Sequence, residues 1–135
     1  MKPIPPDIAI GAPEGTEWFG GAVDRSTMTL RVHCPPDKRE AVSLLLGHES
    51  GEGRRSWGLS APDSADADLD TQVDWILSRL SSDLAAWRRV TSEYKVDLFC
   101  GLFLERTNRG VTLEPETMRK IADRGIQLGF DIYAP

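Results

Sequence analysis

The chain has 135 residues and a formal net charge of -5. A chain of this length can bury a hydrophobic core without disulfides or a structural metal, so we expect a single domain. Its Lys and Arg residues form no cluster of the kind that binds phosphates, and no apolar run approaches the roughly 20 residues of a membrane span. We therefore expect no nucleic acid and no membrane among its partners.

The cysteine content and the N-terminal sequence both favour a cytoplasmic protein. The first residues contain no continuous apolar segment that could serve as a secretion signal. Cys34 and Cys100 are each predicted at or near a strand, and two cysteines in a cytosolic chain stay reduced. His33 beside Cys34 suggests a reactive or metal-binding thiol as an alternative. Metal sites show several ligands at short, regular spacing, however, so we predict no metal.

Residues 1–26 are rich in proline and glycine, a composition typical of an extended arm. The predicted organisation is therefore an arm over residues 1–26 and a single α+β domain over residues 27–135. Within the arm, Trp18 and Phe19 precede two glycines. In one interpretation their rings pack over the core and hold the arm in place. In the other they are an exposed contact for a partner, because Trp is frequent among binding hot spots.

The next segments read as strand, helix and strand. Apolar and polar residues alternate over residues 27–33, which predicts a strand. A helix follows, with Pro36 in its first turn and Gly47 at its end. Residues 48–55 are polar and predict a loop, and residues 56–60 predict a short strand.

Four aspartates between residues 63 and 70 suggest a calcium site, because Ca²⁺ prefers carboxylate oxygens. The central glycine and closing glutamate of an EF-hand loop are absent, however. The preferred interpretation is that one aspartate caps the next helix and the others favour its positive end.

That helix is predicted over residues 68–90, where apolar residues recur every three or four positions along one stripe. Ser81, Ser82 and Asp83 could start a new helix midway, so a kink or two shorter helices is the alternative. A stripe of this kind is typical of a face that packs on a core.

The last third of the chain predicts strand, helix and strand. Residues 96–105 alternate, Pro115 suits a first helical position, Gly125 ends that helix, and residues 126–132 alternate again. We expect the sheet face that the helices do not cover to be lined by polar residues, namely Arg31, His33, Asp97, Gln127, Asp131 and Tyr133.

Several short motifs occur along the chain, and they are Trp18-Phe19-Gly20-Gly21, Leu30-Arg31-Val32, Leu45-Leu46-Gly47, Trp57-Gly58-Leu59-Ser60, Asp97 to Phe103, Asn108-Arg109-Gly110, Leu113 to Thr117 and Arg124 to Tyr133. In this order they resemble the bacterial family catalogued as domain of unknown function 4279. The resemblance covers most of the chain from Trp18 onward and is most specific after Asp97. Glu114 stands where the family usually has serine, which should weaken the N-cap, and the loop 47–55 looks short. Because the family has no assigned catalytic residues, the resemblance supports the fold and leaves function open.

The order of elements predicts an α+β two-layer sandwich. We expect a four- to five-stranded, largely antiparallel sheet with the helices packed on one face. A ferredoxin-like arrangement is one way to connect such elements.

The chain has only His33 and His48, and it lacks the nucleophile, phosphate-loop and zinc-protease motifs. An enzyme would have to use strand carboxylates such as Asp97 and Asp131, and we predict no cofactor. The preferred hypothesis is a non-catalytic, immunity- or adaptor-like module that binds another protein, since acidic surfaces suit basic partners. The predicted contacts are Trp18, Phe19, Arg106, Asn108 and Arg109. A turn is the alternative for residues 106–110, because Asn and Gly allow tight turns, and a homodimer is the alternative assembly.

Overall fold

The computed structural model describes residues 23–51, 56–65, 67–106 and 109–135. Strand β1 (Arg25–His33) leads through a 3-10 turn (Pro36–Lys38) into helix α1 (Arg39–Leu46), and then follow β2 (Trp57–Ser60), α2 (Leu69–Leu77), α3 (Leu84–Glu93), β3 (Lys95–Phe103), α4 (Pro115–Asp123) and β4 (Gln127–Tyr133). Within these residues the four strands form one sheet in the order β2-β1-β3-β4.

The sheet is mixed. Strand β1 pairs antiparallel with both β2 and β3, whereas β3 and β4 are parallel. A parallel pair needs a crossover connection, and α4 provides it. The predicted α+β class with a four- to five-stranded, largely antiparallel sheet is therefore confirmed, with four strands and one parallel pair.

Alternation along the strands separates a core side from a polar side. The core side of β1 and β3 is fully buried, and its residues are Met28, Leu30, Val32, Val96, Leu98, Cys100 and Leu102. Two tryptophans join this core, and each indole N–H has an acceptor. Trp57 donates to the Ser43 hydroxyl at 2.9 Å, and Trp87 donates to the Ser81 carbonyl at 2.7 Å. Both rings can therefore be buried without leaving a polar atom unsatisfied.

The prediction of one long helix over residues 68–90 was wrong, and the alternative of two shorter helices is correct. Helix α2 ends at Leu77 and α3 begins at Leu84. The Asp83 side chain accepts a hydrogen bond from the Ala85 N–H at 2.9 Å and so caps α3. The intervening segment is held by the Ser81 N–H, which donates to the Leu46 carbonyl at 2.8 Å.

The described aspartates of residues 63–70 have hydrogen-bond or ion-pair partners within the protein. Asp68 accepts from the Thr71 N–H at 3.1 Å and caps α2, as the preferred interpretation predicted. Asp63 pairs with Arg25 at 2.9 Å, and Asp70 accepts from the Glu114 N–H at 3.0 Å. Residue 66 lies outside the described residues. The carboxylates at 63, 68 and 70 thus serve helix ends and an ion pair.

The N-terminal boundary is seen only in part. Strand β1 starts at Arg25, two residues before the predicted start of the domain at residue 27. The arm predicted over residues 1–26 lies mostly outside the described residues. Glu114, at the N-cap of α4, makes no side-chain capping bond, which agrees with the weak cap expected there.

Candidate interaction surface

The sheet face that points away from the helices is called the open face below. The strand registers place sixteen side chains or glycines on it, and these are Arg25, Thr27, Thr29, Arg31, His33, Gly58, Ser60, Lys95, Asp97, Phe99, Gly101, Phe103, Gln127, Gly129, Asp131 and Tyr133. All six polar residues predicted to line this face are among them. No described helix packs on the open face, because the buried residues of the helices belong to the core on the other side.

A buried carboxylate lies at the centre of the open face. Asp97 is opposite Arg31 in the β1–β3 register. Arg31 Nε and Nη2 each donate to one Asp97 oxygen at 2.8 Å, a bidentate geometry that is strong and directional. His33 Nε2 lies 3.4 Å from Asp97 Oδ2. The side chain of Asp97 is only 8% exposed, whereas that of Arg31 is 33% exposed.

These contacts keep Asp97 ionised. Burial by itself would raise the pKa of Asp97, but the hydrogen bonds and charge of Arg31, with a smaller contribution from His33, outweigh it and lower the pKa below its usual value. The carboxylate raises the pKa of Arg31 through the same hydrogen bonds, against the opposing effect of burial. The pair is thus fixed as two charges throughout the neutral range.

The lowered pKa predicts a defined acid dependence. A carboxylate whose pKa is lower in the folded than in the unfolded chain contributes stability above the unfolded pKa of about 3.9 and loses it as the pH falls toward the folded value. We expect wild type to be more stable than Asp97→Asn at neutral pH, with a gap that narrows below about pH 4. Urea denaturation of both proteins between pH 7 and 3 measures this gap. A gap that widens on acidification would contradict the assignment.

Two arginines on the open face stack on aromatic rings. The Arg31 guanidinium lies 4.5 Å from the centroid of Phe99, and that of Arg25 lies 3.9 Å from the centroid of Phe103. The Phe103 ring is in turn stacked on Tyr133, with centroids 4.6 Å apart and planes inclined by 8°. Such stacks hold long side chains in one geometry.

A carboxylate completes the second stack. Tyr133 Oη donates to Asp131 Oδ2 at 2.6 Å, and this hydrogen bond, with the negative charge of Asp131, raises the pKa of Tyr133. The side chains of Arg25, Phe103, Tyr133 and Asp131 therefore form one connected row across β1, β3 and β4.

The two carboxylates considered for catalysis share the open face without lying together. Asp97 is opposite Gln127, whereas Asp131 is opposite Gly101, four residues further along β3. At about 3.3 Å per residue their Cα atoms are about 14 Å apart, too far for two carboxyl groups to act on one bond. Asp97 is also occupied by Arg31. The geometry gives no acid–base pair between them.

Two of the five predicted contact residues, Arg106 and Arg109, lie in the part of the chain that the structure describes. Arg106 is exposed. Arg109 is largely buried, with its Nε 3.7 Å from Asp24 Oδ2, and the same oxygen accepts a hydrogen bond from the Glu105 N–H at 2.6 Å. Arg109 therefore ties the segment after β3 to the start of β1, beside the Phe103 end of the open face. The remaining predicted contacts lie outside the described residues, and they are Trp18, Phe19 and Asn108.

The residues considered for thiol or metal chemistry point in different directions. His33 is exposed on the open face, whereas Cys34 is buried at the edge of the core. Burial raises the pKa of the Cys100 thiol to about 11, so that thiol is unreactive at neutral pH. Over the described ranges, no three His, Cys, Asp or Glu side chains come together as a metal site would need.

A cleft of about 680 Å³ lies on the helical side, lined by α2, α4 and the residues that follow each of them. Its charged groups have partners within the protein. Lys120 pairs with Asp74 at 3.0 Å, and Arg79 donates to the Trp75 carbonyl at 2.8 Å while its guanidinium lies 3.6 Å from the centroid of the Trp75 ring. The cleft is open to solvent, and the ion pair between Lys120 and Asp74 links α4 to α2.

Three side chains that organise the open face were not predicted from the sequence, namely Arg25, Phe99 and Phe103. A signal for the two phenylalanines was present, because the alternation of β3 places them on the same side as Asp97. Two large aromatic residues on the polar side of a strand indicate a surface with its own packing. Arg25 gave no such signal, because it precedes the predicted start of the strand.

Comparison with known proteins gives a family and no relative of established function. No curated protein and no solved structure matches the chain. Among the described helices, none has the length and apolar character needed to cross a membrane. The profile of one family, described as Domain of unknown function (DUF4279), matches residues 38–135, which include every element from α1 to β4. The chain therefore belongs to the DUF4279 family.

Proposed function

We propose that this chain is a non-catalytic protein-interaction module, immunity- or adaptor-like, of the bacterial cytoplasm. In this proposal the open face is the surface that contacts the partner. The observation that carries it is the pair of arginine–aromatic stacks, Arg31 on Phe99 and Arg25 on Phe103 with Tyr133. Arg and aromatic residues are the types most enriched in the energetically important parts of protein interfaces.

The order already present in these side chains supports the proposal. Fixing a long side chain on binding costs about 0.5–1.5 kcal/mol in lost rotamer freedom. Arg31 is already held by two hydrogen bonds to Asp97, and Tyr133 by its hydrogen bond to Asp131. A partner that docks on the open face would contact side chains that folding has already ordered, so binding would cost little further rotamer entropy.

The charges of the open face indicate the chemistry of the partner. Two arginines of this face each pair with a carboxylate, Arg25 with Asp63 and Arg31 with Asp97. The open face carries positive charges on Arg25, Arg31 and Lys95 and negative charges on Asp97 and Asp131. The face is therefore locally more basic than the chain of net charge -5. A protein surface that presents carboxylates beside apolar groups would complement it.

Two features weigh against an enzyme. Asp97 and Asp131 are about 14 Å apart along the sheet, beyond the reach of a cooperating carboxyl pair. The charged groups of the 680 Å³ cleft are engaged with one another or with backbone. A flat surface of ordered arginines and aromatic rings is better suited to contact than to turnover.

The test compares two exposed open-face variants with matched controls. Arg25→Glu and Tyr133→Ala change the open face, whereas Arg88→Glu and Leu44→Ala make the same kinds of change on exposed helix positions. Each protein is used as bait in its source cells, and captured proteins are quantified by mass spectrometry. We expect a partner that wild type and both controls retain and both open-face variants lose.

That partner is then purified and titrated into wild type by calorimetry, where saturable binding that either open-face variant weakens at least tenfold supports the proposal. Equal binding by open-face and control variants would contradict it, and so would the absence of binding between the purified proteins. Circular dichroism checks that each variant is folded.

A further inference from the structure

Strand β4 is an edge of the sheet and carries uncovered apolar side chains. Register places Leu128, Phe130 and Ile132 on the helical side, opposite Leu98, Cys100 and Leu102 of β3. Phe130 is nevertheless 45% exposed and Ile132 is 62% exposed. Over the described ranges, no strand pairs with the outer edge of β4. An edge of this kind offers free N–H and C=O groups beside an apolar surface.

The opposite edge of the sheet is protected. Strand β2 has only four residues, and the segment before it lies against its outer side. The Gly51 N–H donates to the Gly58 carbonyl at 2.6 Å, and the Gly58 N–H donates to the Ser50 hydroxyl at 3.0 Å. Strand β4, by contrast, has seven residues and contains no proline and no lysine, two devices that commonly block edge pairing. The two edges of the sheet are thus unequal.

The sequence of β4 is complementary to itself in an antiparallel pairing centred on Phe130. In that register Phe130 faces Phe130 of a second copy, and Leu128 faces Ile132. On the open-face side Gly129 faces Asp131, and Gln127 faces Tyr133. Apolar residues thus meet apolar ones, and the only charge of the strand meets a glycine. Centring on Asp131 would instead place two carboxylates opposite each other.

We propose that two copies of this chain associate through β4 in this register, as a symmetric antiparallel dimer. The two-fold axis passes through the Phe130 pair, perpendicular to the sheet, so each copy contributes the same strand. The four-stranded sheets become one sheet of eight strands, with both open faces on the same side. The dimer contact is the outer edge of β4, which adjoins the proposed partner site because Asp131 and Tyr133 of β4 lie on the open face. Neither proposal requires the other.

The first test is the mass in solution. Sedimentation equilibrium of the full chain should approach twice 14.9 kDa as the concentration rises through the micromolar range. Ile132→Lys introduces a charge at the edge and should return the mass to that of a monomer. Leu44→Lys, at an exposed leucine on α1, should remain dimeric. A monomeric wild type would overturn the proposal, including the case in which residues 1–22 of the same chain cover β4. An Ile132→Lys protein that remains dimeric would also overturn it.

The second test examines the register by disulfide trapping. Directly opposed residues of antiparallel strands have Cα atoms about 4.5–5.5 Å apart, within the range that a disulfide spans. Phe130→Cys should therefore form a disulfide with its copy under mild oxidation, and so should the double variant Leu128→Cys/Ile132→Cys. Leu128→Cys alone should not, because its copy lies about 13 Å away along the strand.

The cysteine variants are made in a Cys100→Ala background, because Cys100 is directly opposite Phe130 in the β3–β4 register and could form a disulfide within one chain. The other native thiol, Cys34, is buried. Equal cross-linking of Leu128→Cys and Phe130→Cys would contradict the register. Absence of cross-linking in both Phe130→Cys and the double variant would contradict the pairing of β4.

Discussion

Replacing Arg31 with methionine should lower the free energy of unfolding by about 2–4 kcal/mol at neutral pH. The substitution leaves the Asp97 carboxylate, which is 8% exposed, without the guanidinium that accounts for both of its short hydrogen bonds. An uncompensated charge in a buried position is costly because its lost hydration is no longer offset. The expected loss is below the 3–5 kcal/mol typical of fully buried pairs, because Arg31 is one-third exposed.

A double-mutant cycle isolates the interaction itself. The single variants are Arg31→Met and Asp97→Asn, and their coupling should be about 1.5–3 kcal/mol, as for hydrogen bonds to charged groups. The matched control is the pair Arg25 and Asp63, which has nearly the same contact distance, 2.9 Å, but side chains that are both about half exposed. Its coupling should not exceed about 1 kcal/mol.

Chemical denaturation with urea measures both cycles under the same conditions. Equal coupling at the two sites would show that burial adds nothing to the Arg31–Asp97 pair, and the open face would then lack the ordered centre described above. A coupling free energy that is larger for Arg31 and Asp97 than for Arg25 and Asp63 would support the ordered pair on the open face.

Two glycines of the open face should respond oppositely to alanine. A Cβ atom at Gly101 would lie 2.6 Å from Thr27 Oγ1 and 3.2 Å from the Phe103 ring, whereas one at Gly129 would have no neighbour within 4 Å. Gly101→Ala should therefore cost about 1–3 kcal/mol, as overpacked sites do. Gly129→Ala should be neutral or slightly stabilising, because alanine loses less backbone entropy than glycine on folding.

The contact at Thr27 can be tested by rescue. Thr27 is directly opposite Gly101 in the β1–β3 register, and its hydroxyl is the nearest atom. Thr27→Ala removes that atom, so the double variant Thr27→Ala/Gly101→Ala should be more stable than the two single effects predict. Urea titrations measure the free energy of unfolding of wild type, the two single variants and the double variant. Additive effects, or an equal cost at Gly101 and Gly129, would contradict this description of the open face.

The strand pattern of the sequence predicts local structure well, because alternation is a property of neighbouring residues. The strands β1 and β3 follow directly from it, and so does the division of their side chains between core and open face. The break between α2 and α3 was harder to predict. Leu80, Leu84 and Trp87 continue the apolar stripe across the break, although only Leu80 and Trp87 are buried in the core and Leu84 is exposed. Only the capping preference of Ser81, Ser82 and Asp83 indicated a second helix, and Asp83 is the residue that caps it.

The centre of the open face could not be derived from local pattern. Arg31 and Asp97 are 66 residues apart, and their contact depends on the register between β1 and β3. One signal was available, because aspartate is depleted in strands and an Asp within β3 indicates a partner. The sequence does not name that partner. The exposure of Phe130 and Ile132 likewise depends on how far α4 extends over β4, a long-range property of the fold.

The proposed role of the open face requires that this face be uncovered in the free chain while the tryptophans are enclosed on the other side of the sheet. Nuclear magnetic resonance with a soluble paramagnetic agent measures this directly, because relaxation increases with access to solvent. We expect strong enhancement for the rings of His33 and Tyr133, which are exposed on the open face, and little for the indole N–H groups of Trp57 and Trp87. Protection of His33 and Tyr133 to the level of the two tryptophans would show that the face is covered, and would contradict the account.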